Sequence, residues 1–331
     1  MAPLILHCES LTPALSELQS SYSLLSICPA DAPVAALLGT KGASPDDARV
    51  ALVVNGENRW EEAIRVMQGG DAVVLDANDN GAEWIVNRSG DESGEGRAGM
   101  RYRDLIPGRL GGRVVASLIS IPDGGPVADY VHHHRIDFQM IFCRSGSVRV
   151  VYESQGPPFD LHAGDCVIQP PHIRHRVLEA SKGLEVVEIA SPAVHATYPD
   201  PGMELPGGAD DPGRSWGGQT FVRHIAESAE WQEGRGRWTG WEERDLGIGL
   251  ATGGTYKASV ARSKDVGEGQ WRAATHGSDL IFWFVLDGQV EIQKGDGSVL
   301  VLLNGDSLVV PKGEFSLRGS MGAQLLEVEF A

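Results

Sequence analysis

From about position 100 onward the chain is built of short apolar runs, many alternating with polar residues, as in Ser147–Tyr152 and Val290–Gln293. Nearly all are bounded by Gly, Pro, Asn or Asp, which end strands in tight turns. A period of two places alternate side chains on opposite faces, so each run predicts a strand with one buried face. Many short antiparallel strands that must each bury one face close into sandwiches or barrels, so this part is all-β. Residues 1–90 read differently, as a small mixed segment. Pro13–Leu25 is compatible with a helix and Ala48–Asn55 predicts a strand. Arg59–Met67 carries Trp60, Ala63, Ile64 and Met67 at helical spacing, and Gly70–Leu75 reads as turn then strand. Asn87–Gly99 is polar and glycine-rich, as suits a linker or a mobile loop. Residues 199–218 are rich in Pro and Gly and mark a crossing between domains.

The all-β part repeats. Arg103-Asp104-Leu105 returns as Arg244-Asp245-Leu246, and Gly111-Gly112 with Ala116-Ser117 as Gly253-Gly254 with Ala258-Ser259. His134 falls on His276, Gly146 on Gly288, Gly164-Asp165 on Gly305-Asp306, and Pro170 on Pro311, all at an offset of 141–142. Both copies end in an alternating strand, Leu184–Ile189 and Leu325–Phe330. The organisation is therefore an N-terminal segment over 1–90, a first copy over 101–198, a linker over 199–218 and a second copy over 219–331. A length of 331 residues accommodates two such cores. Gly70-Asp71-Ala-Val-Val-Leu weakly echoes the same Gly-Asp turn and strand, and so suggests a partial, degenerate third copy within 1–90.

Composition narrows the function. A formal charge of −17 argues against phosphate-driven nucleic-acid binding and against anionic membranes. The apolar runs are too short to span a bilayer, and the N-terminus lacks a secretory pattern. Cys8, Cys28, Cys143 and Cys166 form no paired spacing and read as reduced thiols, Cys143 and Cys166 as small buried fillers. Cytoplasm is the default location on these grounds.

Six of the ten histidines lie between positions 132 and 175. On a strand, His132 and His134 share a face and His133 takes the other. His175 follows the Gly164-Asp165 turn and the Pro170-Pro171 corner. In a small barrel these distant strands face one another, so His132, His134 and His175 converge on one point with room for a metal and a further ligand. Gln139 is placed to turn its amide oxygen inward, either as a metal ligand or as a hydrogen-bonding group beside one. Tyr130, two residues before His132, shares its face and is a candidate for the substrate pocket. His172 is read as a turn or pocket-rim residue, and His7, His162, His195 and His224 as background. The run Ile281–Leu286 reads as strand core, and Trp238 and Trp241 as candidates for a domain contact.

These residues resemble the cupin superfamily. Gly125, His132-x-His134, Gln139 and Gly146 match the first half of its spaced motif, and Gly164, Pro170 and His175 the second. Gln139 stands where the family usually has Glu, His172 where it usually has Gly, and Gly125 lies one residue farther from the first His than the pattern asks. The resemblance covers roughly residues 101–331 and implies two cupin (double-stranded β-helix, or jelly-roll barrel) domains. It makes His132, His134, Gln139 and His175 the metal ligands of the first. The second carries Ala274, His276, Ile281 and Ser316 at the corresponding positions and is expected to hold no metal.

A neutral ligand set leaves the full charge on a divalent metal and lacks a carboxylate base, so it favours a small anionic substrate such as an enolate, a carboxylate or a phenolate, with an enolisable or phenolic molecule first. The resemblance implies a dioxygenase-type oxidoreductase with one metal per chain, Fe(II) first, with Zn, Ni or Mn also compatible. A non-redox metal-dependent lyase, isomerase or cyclase, and a non-catalytic small-ligand-binding bicupin, stand as alternatives. The expected partner is a small molecule, and sheet edges or the second copy offer surfaces for a homodimer.

Overall fold

The computed structural model describes five strands within residues 1–83 and residues 84–331, apart from 92–93, 96–99, 194 and 266–268. The five N-terminal strands form one mixed sheet. Leu4–Cys8 pairs in parallel with Val50–Val54 and with Val73–Asp76, while Ala36–Gly39 and Ser23–Ile27 add in antiparallel fashion. The strand expected over Ala48–Asn55 is thus present, and the last residues of Pro13–Leu25 lie in a strand. The rest of that helix and the one expected over Arg59–Met67 fall outside the described residues. The echo at Gly70–Leu75 does not extend to pairing: Val73–Asp76 has a parallel partner, whereas its counterparts Cys166–Ile168 and Ser307–Val310 are paired antiparallel.

The remainder is two jelly-roll barrels of the same plan. In the first, Phe138–Ser145 and Leu184–Ser191 centre one sheet, and Ser147–Tyr152 and His175–Ala180 centre the opposing one. In the second, Leu280–Asp287 and Gln324–Phe330 correspond to the first pair, and Gln289–Gln293 and Gly313–Gly319 to the second. The turns at Gly146 and Gly288 require glycine. Both have φ above +70°, and a Cβ on Gly146 would meet Ser181 Oγ at 2.5 Å, one on Gly288 the Ala323 Cα at 2.9 Å.

The two larger sheets pack on one another. Phe138, Met140, Phe142, Val187 and Ile189 of the first barrel meet Leu280, Phe282, Phe284, Leu326 and Val328 of the second in one buried cluster. Each of these strands sends its other face into its own barrel, which is why the runs are apolar on both sides. Trp238 and Trp241 belong elsewhere than expected. Their rings meet at a tilt, 5.2 Å apart, inside the second barrel and against Trp283, rather than at the contact between barrels.

Strands are also exchanged across the expected boundaries. Ile85–Asn87 pairs with Ser307–Val310 of the second barrel, and Val222–His224 pairs with Cys166–Ile168 of the first. The recurring Gly-Asp turn explains how each is held. Asp165 accepts from the backbone N–H of His162 and of Ala226, just beyond the second exchanged strand. Asp306 accepts from the N–H of Leu303 and of Ser89 and from Arg88, just beyond the first. Buried Arg103 adds bonds to Asn87, Arg88 and Gly305, so the start of one barrel is tied to the other.

Candidate metal centre

His132 and His134 leave the same face of the His132–Arg135 strand, and His175 opens the strand paired with it, directly opposite His132. The rings of His132 and His175 are 4.4 Å apart between centroids, those of His132 and His134 5.1 Å, and those of His134 and His175 5.3 Å. One nitrogen from each lies within 4.8 Å of the others, the only such cluster of three among the described residues. The tautomers follow from the other nitrogens. His132 Nδ1 lies 2.8 Å from the Tyr130 carbonyl and His175 Nδ1 lies 3.0 Å from the Ile173 carbonyl. A carbonyl only accepts, so both Nδ1 atoms carry the proton and both Nε2 atoms present lone pairs. His134 Nδ1 lies 2.8 Å from Thr197 Oγ1, which orients its ring, although a hydroxyl can accept or donate there. The buried Asp129 carboxyl group lies 3.6 Å from His132 Nδ1, on the same side of the ring as the Tyr130 carbonyl.

Gln139, on the neighbouring Phe138–Ser145 strand, is buried in the same cavity. Its Nε2 donates to Glu188 Oε1 at 2.6 Å, which leaves the amide oxygen buried without a hydrogen-bond partner. An orphaned acceptor costs about 1–3 kcal/mol, so a cation or a donor is called for there. Three oriented imidazoles and this oxygen fit a divalent metal.

Glu188 corrects the expectation of a carboxylate-free site. It lies on the Leu184–Ser191 strand and lines the cavity, so the carboxyl group missing at position 139 is present one strand away. A signal for it existed: Leu184, Val186 and Glu188 alternate on one face, and the first two point into the barrel. His195, read as background, is also at the cavity, its ring 5.3 Å from that of His134. Tyr130 stands at the edge, 42% exposed, with its ring edge-on to His132. His133 faces away and stacks on Tyr198, with His172 beside it. Burial, then the charge of Arg174, lowers its pKa. Tyr152 stacks on His175 and burial pushes its phenol well up, so it is a neutral wall. Cys143 and Cys166 are buried free thiols, and burial raises Cys143 to about 12.

In the second barrel the corresponding places are filled by other side chains. Its strand register sets Ala274 at the place of His132 and Phe315, not Ser316, at the place of His175. The turn from Pro170 to His175 is one residue longer than that from Pro311 to Phe315, in a stretch where His172 takes φ 66°. A constant offset therefore misses by one. Phe315 and Ile281 pack into the apolar core, and His276 Nε2 is bound to the carbonyls of Val310 and Pro311.

Residues 117–190 match the family described as Cupin domain. No match exists among curated protein sequences. Among solved structures, the oxalate decarboxylase of Lactobacillus farciminis, in a formate complex, superposes with TM-score 0.53 at 14% identity, over 74% of this chain and 86% of that one. This chain has the bicupin fold. The salicylate 1,2-dioxygenase of Pseudaminobacter salicylatoxidans (TM-score 0.53, 16% identity, 76% and 85% covered) shares it. So does the protein Ylba from E. coli, with TM-score 0.52, 13% identity, and 76% and 92% covered. At these identities the likeness establishes the bicupin fold and leaves the reaction to the residues of the cavity. No helix among the described residues is long and apolar enough to cross a membrane.

Proposed function

We propose that this bicupin is a metal-dependent enzyme of the dioxygenase type, acting on a small enolisable or phenolic molecule at His132, His134 and His175. The observation that carries the reading is three imidazoles meeting at one cavity, the Nδ1 atoms of His132 and His175 on backbone carbonyls and that of His134 on the Thr197 hydroxyl. Gln139 completes the set with its unpartnered oxygen, held by Glu188. A divalent first-row metal bound there supplies Lewis acidity and, as Fe(II), electrons for the reduction of O2. The chain's own contribution is to orient these donors and to exclude water with the Tyr152 ring and the aliphatic barrel wall. His195 and Tyr130 stand at the edge of the same cavity, within reach of a bound molecule. Oxygen uptake by Fe(II)-loaded protein across a panel of 1,3-diketones, catechols and hydroxyquinones tests the reading. Turnover should consume O2 and vanish in His134→Ala. Turnover indifferent to O2 and retained with Zn would replace it by Lewis-acid lyase or isomerase chemistry.

A further inference from the structure

Resting on that reading, we infer a narrower substrate class: an apolar molecule with one enolisable chelating pair, such as an aryl- or alkyl-substituted 1,3-diketone, and no carboxylate. The cavity holds about 450 Å³, and Glu188 is its one charged lining residue, with no Lys or Arg among the described residues that line it. Beyond Glu188 the same strand face continues with Val186 and Leu184, about 7 and 14 Å further on. Val148, Val150, Leu161 and Ile121 line the same cavity as these two residues. A substrate body reaching along this wall meets mainly hydrocarbon, with Tyr102, Tyr152 and Gln169 as neutral polar neighbours.

The electrostatics exclude a second anionic group. One enolate on a divalent cation is compensated, but a carboxylate along the aliphatic wall would be buried with no cation among the described lining residues, where Tyr102 and Gln169 already donate to Met100 and Tyr152. The second barrel marks the contrast. Its Glu327, at the same place on the corresponding strand, is bonded by Arg237 and by the indole N–H groups of Trp238 and Trp283. The first barrel gives Glu188 the Gln139 amide instead, and no Lys or Arg stands among the described residues of the cavity wall.

The test is anaerobic titration of Co(II)-loaded full-length protein with 1-phenylbutane-1,3-dione, salicylate and oxalate, read from the visible spectrum of the metal. The diketone should bind at least about 100-fold more tightly than either carboxylate. Glu188→Gln should narrow the gap to salicylate, and Ile119→Arg, which places a cation on the cavity wall, should reverse the preference. Salicylate or oxalate binding as tightly as the diketone in the unaltered protein overturns the substrate class and leaves the metal centre standing. Failure to take up Co(II) overturns the metal reading and this inference with it.

Discussion

Replacing Phe315 by Ala should destabilise the protein far more than replacing Ser316, although an alignment at constant offset sets Ser316 opposite His175. Phe315 is 5% exposed and meets Trp84 and Trp283 edge-on at 6.0 and 5.7 Å. Truncation removes a buried ring, worth about 1.5–3 kcal/mol in transfer alone, and two aromatic contacts of about 0.5–1.5 kcal/mol each. The gross loss lies within the range of about 3–5 kcal/mol seen for buried Phe→Ala changes. Phe315 also borders a cavity of about 500 Å³ that opens on one side, so some of the vacated space hydrates and a loss of about 3–4 kcal/mol is expected. Ser316→Ala should stay within about 0.5 kcal/mol. Guanidinium unfolding, followed by tryptophan fluorescence and by circular dichroism, measures both. A loss below about 1 kcal/mol for Phe315→Ala, or an equal loss for Ser316→Ala, would refute the account of a second barrel plugged at the place of its missing histidine.

Thr197→Val should leave the fold intact and weaken metal binding by about 10–100-fold, because His134 loses the group that orients its ring; competition with a chromophoric chelator reads this. Arg272→Met should cost about 1.5–3 kcal/mol at pH 7. The Arg272 hydrogen bonds hold the Asp265 carboxyl below its usual range, so this stabilisation is present above the ordinary Asp pKa of about 4 and is lost as pH falls through the depressed value. Urea unfolding of the two proteins should therefore differ at pH 7 and converge near pH 2, and an equal gap at both would contradict the pairing. Native-state thiol labelling followed by peptide mass spectrometry should find Cys143 and Cys166 unreactive, since burial disfavours both thiolates.

Much of the site is readable from strand alternation. His132-x-His134 on one face, and a turn-bounded His175 on a facing strand, need only the period of two and a barrel. The same period also pointed Glu188 inward, but a strand reading Leu-Glu-Val-Val-Glu-Ile resembles a half-solvated face, and the partner of Gln139 was hidden in it. Phe315 was missed because one added residue in the Pro170–His175 turn shifts the register, which side-chain types alone do not reveal. The exchange of Ile85–Asn87 and Val222–His224 was beyond reading for another reason. Which sheet edge a short strand joins is settled by distant partners, here the Asp306 and Asp165 carboxylates, and not by its own pattern. His195 has no periodic signal because it lies outside a strand.

The central claim is that His132, His134 and His175 hold a metal through Nε2. The direct measurement is elemental analysis of protein purified without chelators, joined to anomalous diffraction at the metal edge. The account predicts about one divalent metal per chain, with its anomalous peak between these three rings and none in the second barrel. Protein with no stoichiometric metal after aerobic and anaerobic purification, or a peak elsewhere, would contradict it.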